Sequence, residues 1–273
     1  MTMIKTRDDT ELYVKDWGRG RPVILLHGWP LTCDTWDDFA MVAAEAGFRA
    51  ISYDRRGFGR SDQPWQGYDY DTLSDDLADV IAATEAEDAA LFGFSMGGGE
   101  VARYMSRHGG KGISKAALIA SVVPYMLQTS DNPDGVPQSV FDGMTKGMKK
   151  DRANFFAGFF KSFFGVGVFT GSVSEEVLDW SFNQTMMAGL NPTLACAKAF
   201  ATTDFRPDLT SFRVPTLIIH GTGDQTVPID TSARAAAAAI PGSKLIEYDG
   251  APHGLFASHK ERLTEDLMTF LRS

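Results

Sequence analysis

Short apolar runs that alternate with amphipathic helical segments constrain this chain more than any other feature. Pro22-Val23-Ile24-Leu25-Leu26-His27-Gly28 is apolar nearly throughout, as a strand covered on both faces must be. Asp34 to Ala46 follows as a helix with Trp36, Phe39, Val42 and Ala43 on one face, stopped at Gly47. Arg49–Asp54 reads as the next strand, and Tyr70 to Thr84 as a helix with Leu73, Leu77, Val80 and Ile81 at three-to-four spacing. Ala89–Phe92, Ala116–Ala120, Pro215–Gly221 and Lys244–Tyr248 continue the strand series; Ser232–Ala239 and His259–Leu271 are helical. Glu11–Asp16 alternates like an edge strand. Strands separated by helices imply a mostly parallel sheet with helices on both faces, an α/β fold.

The alternation stops between Pro124 and Asp208. That stretch carries Phe141, Phe155, Phe156, Phe159, Phe160, Phe163, Phe164, Phe169, Trp180, Phe182 and Phe200, and it reads as three or four helices forming a lid. The expected organisation is a core of residues 1–123 and 209–273 with a helical lid, residues 124–208, inserted in the same domain. Most of the aromatic rings should pack the lid onto the body, and a few should face a pocket.

Bulk properties narrow the partners. A formal net charge of −9 argues against nucleic acid or an anionic membrane as a main partner and fits a small neutral molecule. The N-terminal residues lack the apolar core of a secretory signal, and no apolar run approaches the ~18 residues of a membrane helix, so a cytoplasmic location is expected. Cys33 and Cys196 match neither a zinc pattern nor a disulfide framework, and the five histidines show no ligand spacing. Free thiols and no metal are expected.

Gly93-Phe94-Ser95-Met96-Gly97 sits between an apolar run and a helical segment. A serine on such a strand-to-helix turn is exposed in strained geometry, and flanking glycines remove side chains that would collide there. The pattern alone is weak evidence; it needs a base and an acid. In an α/β sheet both belong at the ends of later strands. Asp224 follows one such strand and His253 the last. A serine hydroxyl needs an imidazole to take its proton, and the imidazolium formed needs a carboxylate. Rival residues are weaker. His27 reads as structural, His220 as a satisfied core histidine, and His108 and His259 as solvated residues at helix ends. Asp54 reads as an anchor for the Arg55-Arg56 loop, and Asp249 lies too close in sequence to His253. For an oxyanion, Met96 N–H is one donor. The His27-Gly28-Trp29-Pro30 loop supplies the other through Trp29, since Pro30 has no N–H. Two such donors are typically worth roughly 3–4 kcal/mol each in barrier height.

The elbow, the His27–Pro30 loop, the Tyr53–Ser61 segment and the Asp224 and His253 loops resemble the α/β-hydrolase superfamily over nearly the whole chain. Gly93–Val101 and Thr203–Leu209 are similar to its group of cofactor-free haloperoxidases and bacterial arylesterases. The resemblance implies an eight-stranded α/β-hydrolase sheet and a serine esterase for short-chain acyl and aryl esters. It also implies perhydrolysis, in which hydrogen peroxide replaces water; haloperoxidase activity as the main role, or lactam or amide hydrolysis, are the alternatives. It implies no haem, flavin or metal, and a homo-oligomer is compatible with it. Trp29, Phe94, Tyr125, Phe159, Phe200 and Val227 are the expected pocket walls, and the rigid Trp29-Pro30 segment is expected to help position peroxide.

Overall fold

A computed structural model describes residues 2–167 and 173–273; Phe169 lies outside them. Eight strands form one sheet in the order β1-β2-β4-β3-β5-β6-β7-β8. They are β1 (Thr2–Lys5), β2 (Glu11–Gly18), β3 (Pro22–Leu26), β4 (Arg49–Tyr53), β5 (Ala89–Phe94), β6 (Ile113–Ile119), β7 (Thr216–Gly221) and β8 (Lys244–Tyr248). β1 pairs antiparallel with β2, and β2 antiparallel with β4. Every other neighbour pair is parallel. The α/β architecture expected from the alternation is present. One detail differs: β2 is not the edge. The short β1, with Ile4 its one buried residue, takes that place.

Every residue of β3, β5 and β7 is buried, which is why these strands are continuous apolar runs. Helices α1 (Asp37–Glu45), α2 (Tyr70–Ala83), α3 (Met96–Arg107), α7 (Ala235–Ala239), α8 (Leu255–Ser258) and α9 (Lys260–Arg272) accompany the sheet. α2 turns Leu73, Leu77 and Val80 inward, and burying each such side chain contributes about 1.5–3 kcal/mol. Its start is set by Asp69, whose carboxylate accepts the Thr72 N–H at 3.0 Å.

Between β6 and β7 run α4 (Gln138–Phe163), α5 (Glu175–Met186) and α6 (Leu190–Thr202). α4 breaks at Asp151, with φ −160° and ψ 91°. The Asp151 carboxylate accepts the Asn154 N–H at 3.0 Å and so starts a second helical piece. Phe156, Phe160 and Phe163 on that piece and Phe164 at its end are fully buried, Phe163 edge-to-face with Phe160 and Phe164 and Phe160 stacked on Phe164.

Candidate active site

Ser95 joins β5 to α3 with φ 54° and ψ −117°. A positive φ is uncommon for a residue with a side chain, and the turn that holds it is packed closely on both flanks. A Cβ on Gly93 would lie 2.5 Å from the Gly97 carbonyl oxygen, and one on Gly97 2.6 Å from that of Leu26. Only glycine lets β5, the turn and β3 come so near. The Ser95 N–H donates to Ile119 O at 2.8 Å, tying the turn to the end of β6.

His253, in the loop after β8, has Nε2 2.9 Å from Ser95 Oγ and Nδ1 2.6 Å from Asp224 Oδ2. Its ring is held edge-to-face by Phe163 (centroids 4.8 Å apart) and tilted against Phe94 (5.2 Å). The Gly254 N–H donates to Phe163 O at 2.9 Å, so α4 also fixes the backbone of this loop. Asp224, in the loop after β7, is saturated with donors. Oδ1 accepts the Thr226 and Val227 N–H groups, each at 2.8 Å, and His220 Nε2 lies 3.1 Å from Oδ2. Burial alone would raise the Asp224 pKa. The His253 charge and the hydrogen bonds from His220 and His253 outweigh it and hold the group well below the usual carboxylate range.

Met96 opens α3, so its N–H has no intrahelical acceptor. Trp29 N–H has no backbone acceptor among the described residues. The direction of the Trp29 N–H is set by its own peptide unit. Gly28 O accepts the Leu31 N–H at 3.0 Å and lies 2.9 Å from His27 Nδ1. Because Arg55 N–H donates to His27 Nε2 at 2.9 Å, Nδ1 carries the ring proton and donates to Gly28 O. In a planar trans peptide C=O and N–H point opposite ways, so anchoring Gly28 O also aims Trp29 N–H. The Trp29–Pro30 bond is cis. Burial, then the Arg55 charge, pushes the His27 pKa down to about 3.

A cavity of about 230 Å³ adjoins Ser95. Its aromatic wall is Trp29, Phe141, Phe155, Phe159 and Phe200; Val122, Met126, Val136, Val140, Met144 and Val227 complete the apolar surface. Ser162, Gln225 and Thr226 add polar atoms, and no charged side chain among the described residues lines it. Trp29 is itself pinned, its indole N–H donating to Thr193 O on α6 at 3.0 Å.

A family model described as the alpha/beta hydrolase fold matches residues 21–260. The chain belongs to the α/β-hydrolase family. This α/β-hydrolase is 41% identical to a non-heme chloroperoxidase of Kitasatospora aureofaciens, with 99% of each chain covered. It is also 41% identical to the bifunctional esterase/perhydrolase of Acinetobacter calcoaceticus, with 100% of each covered. Among solved structures, a bromoperoxidase from Bacillus anthracis is 42% identical with a TM-score of 0.95, covering 100% of this chain and 99% of its own. The protein is thus an enzyme of the α/β-hydrolase class whose relatives carry esterase, perhydrolase and non-heme haloperoxidase names.

Several expected residues of this α/β-hydrolase fall elsewhere. Trp29, Phe159, Phe200 and Val227 line the cavity, whereas Phe94 and Tyr125 do not. Neighbours on a strand point to opposite faces, and Phe94 lies behind the histidine, against Phe163 and Phe256. Tyr125 stacks under the Arg206 guanidinium, 5.1 Å from its ring centre, and its neighbour Met126 faces the cavity instead. His108 is not free in solvent, its Nε2 lying 2.9 Å from Asp75. His259 is half-buried beside Tyr248. Asp54 does anchor its loop as expected, accepting from the Arg60 backbone N–H at 2.9 Å and from Arg60 Nε at 2.6 Å. Asp249 is exposed and bonds Thr222. Both thiols are buried and free; burial pushes Cys196 up to about 12 and Cys33 higher still.

Sequence reasoning missed Val140 and Met144 on the first piece of α4, and Phe155 and Ser162 on the second. Spacing could have found them: Val140 and Met144 are four apart, and Phe155, Phe159 and Ser162 follow a four-three step on one helical face. Among the described residues no helix is long and apolar enough to cross a membrane, and no group of three or more His, Cys, Asp and Glu could hold a metal ion.

Proposed function

We propose that this enzyme is a serine esterase for short-chain acyl and aryl esters, working through an acyl-enzyme. The observation that carries the reading is the hydrogen-bonded line from Ser95 Oγ through His253 to Asp224, open to an uncharged cavity. Ser95 Oγ attacks the ester carbonyl while its proton passes to His253 Nε2. Asp224 orients the ring and stabilises the imidazolium. The Trp29 and Met96 N–H groups receive the oxyanion. The C–O bond to the leaving alcohol breaks, and His253 returns the proton to the departing oxygen. Water then gives its proton to His253 and its oxygen to the acyl carbon, and Ser95 leaves as the hydroxyl.

Hydrogen peroxide in place of water gives the peracid by the same steps. The names of the relatives favour this second reading: a non-heme chloroperoxidase at 41% identity and an esterase/perhydrolase at 41%. The peracid released would oxidise halide outside the protein, with peroxide as the ultimate oxidant.

A serine-directed phosphonate followed by peptide mass mapping tests the nucleophile. Label on Ser95 with loss of esterase activity is expected, and label elsewhere with activity intact defeats the reading. Rates of acid and peracid release from one ester at matched water and peroxide conditions decide which acceptor dominates.

A further inference from the structure

His220, on β7, is fully buried. Its Nε2 lies 2.9 Å from Val227 O and 3.1 Å from Asp224 Oδ2. A carbonyl only accepts, so Nε2 carries the proton and donates it to Val227 O, with Asp224 Oδ2 in contact beside the same N–H. Nδ1 has no hydrogen-bond partner among the described residues. The residue is therefore not the satisfied core histidine that its apolar surroundings suggest. A ring with one nitrogen left bare in the core is a costly way to fill space. What it adds is the positive end of an N–H within 3.1 Å of the same carboxylate oxygen that holds His253.

We infer that His220 is a positioning residue for the reaction: it holds Asp224 Oδ2 as a second imidazole beside His253 and takes a share of that oxygen's negative charge. The inference rests on the serine-esterase reading above. With both Asp224 oxygens engaged, by two backbone N–H groups on Oδ1 and two imidazoles on Oδ2, the carboxylate cannot rotate away from His253. The shared charge also moderates how strongly Asp224 holds a proton on His253. Val227, the acceptor of the His220 proton, lines the substrate cavity, so one side chain ties the acid to the cavity wall.

Few other charges act on this pair. Glu247 stands beside His220 in register on β8 and is paired with Arg234, which also holds Asp230. The His253 ring otherwise faces Phe94 and Phe163, which do not titrate.

The test compares His220→Phe, which removes the donor, with His220→Gln, which keeps an N–H at similar reach. Hydrolysis of phenyl acetate is followed from pH 5 to 9. In His220→Phe, Asp224 Oδ2 gives its charge to His253 alone, which keeps the base protonated to higher pH. The acidic limb of kcat/KM should move up by about half to one pH unit. At pH 8, kcat should fall about three- to tenfold, with KM little changed, as the carboxylate loosens. His220→Gln should bring the limb back toward the unsubstituted enzyme. A limb and kcat unchanged in His220→Phe, with only thermal stability lowered, would overturn the inference, as would equal effects in both variants. Should His220→Phe fail to fold, nitrogen-15 histidine spectra of the unsubstituted enzyme decide: a protonated Nε2 and a bare Nδ1, perturbed in Asp224→Asn, support the clamp. The opposite tautomer overturns it. Ser95→Ala separates the two readings. Esterase activity surviving in that variant defeats the serine mechanism itself, whereas an inactive Ser95→Ala beside an unaltered His220→Phe defeats only the role of His220.

Discussion

Arg55 and Glu100 form an ion pair in the interior, with Arg55 Nε 2.6 Å from Glu100 Oε1 and side-chain exposures of 2% and 1%. Arg55 also donates to His27 O through Nη2 at 2.6 Å, and through its backbone N–H to the His27 ring. Tyr53 donates to the other Glu100 oxygen at 3.1 Å. Glu100 lies on α3, the helix that begins at Met96, and His27 orients the peptide of Trp29. One buried charge pair therefore joins the two elements that carry Trp29 and Met96, the proposed oxyanion donors.

Replacing Glu100 by Gln leaves the Arg55 charge buried without a counter-ion. Breaking such a pair costs about 3–5 kcal/mol, and urea denaturation of Glu100→Gln should show a loss of that order. The double variant Arg55→Met/Glu100→Met removes both charges and should lose less than Glu100→Gln alone. A Glu100→Gln midpoint within experimental error of the unsubstituted enzyme would show that the pair does not hold these elements together.

His27 makes stability depend on pH. Its folded pKa, about 3, lies below the unfolded value of about 6.5, so between these values the unfolded chain binds the extra proton. Stability from this residue is complete above about pH 6.5 and is lost as pH falls toward 3. Denaturation midpoints should therefore drop from pH 7 to 4.5, and His27→Gln should flatten part of that slope. Equal slopes in the two proteins would remove His27 as a cause of acid lability.

How much of this could be read beforehand depended on whether the determinant was local. The central strands are covered on both faces, so each is an apolar run that stands out by itself. β1 is four residues long with a single buried side chain, and a polar edge strand leaves no such run. Ser95, Asp224 and His253 each follow a strand inside a short recognisable loop. His220 gave no comparable signal: it sits within the apolar β7, and only the path of the loop from Gly221 to Val227 returns Asp224 to its ring. Phe94 adjoins Ser95 yet packs on Phe163 and Phe256, and Tyr125 packs on Arg206, because sequence position does not fix which way a side chain points.

Asp224→Asn should be far more damaging than its small change in shape suggests. The amide oxygen would remain on the Thr226 and Val227 N–H groups, which turns the NH2 toward His253 and His220. His253 Nδ1 must then accept a hydrogen bond, so its proton moves to Nε2, where it faces Ser95 and cannot serve as a base. A fall in kcat of about 10⁴ is expected by analogy with the same change in other serine triads, with KM little altered. A loss below tenfold would show that Asp224 does not set the tautomer of His253.

Phe159→Ala tests whether cavity size sets substrate choice. Phe159 lines the cavity and packs edge-to-face on Trp29, with centroids 5.5 Å apart. Truncation opens space beside Trp29 and leaves Ser95, His253 and Asp224 unsubstituted. Short acetyl esters should lose rate, because they no longer fill the site and are held less tightly against the nucleophile. Esters with longer or branched acyl groups should gain relative to acetate, and one added methylene in a hydrophobic pocket changes discrimination by about 1–3 kcal/mol. The ratio of kcat/KM for butyrate to acetate aryl esters should therefore rise about tenfold or more in Phe159→Ala. An unchanged ratio, with the variant still folded, would mean that the acyl group does not lie against Phe159.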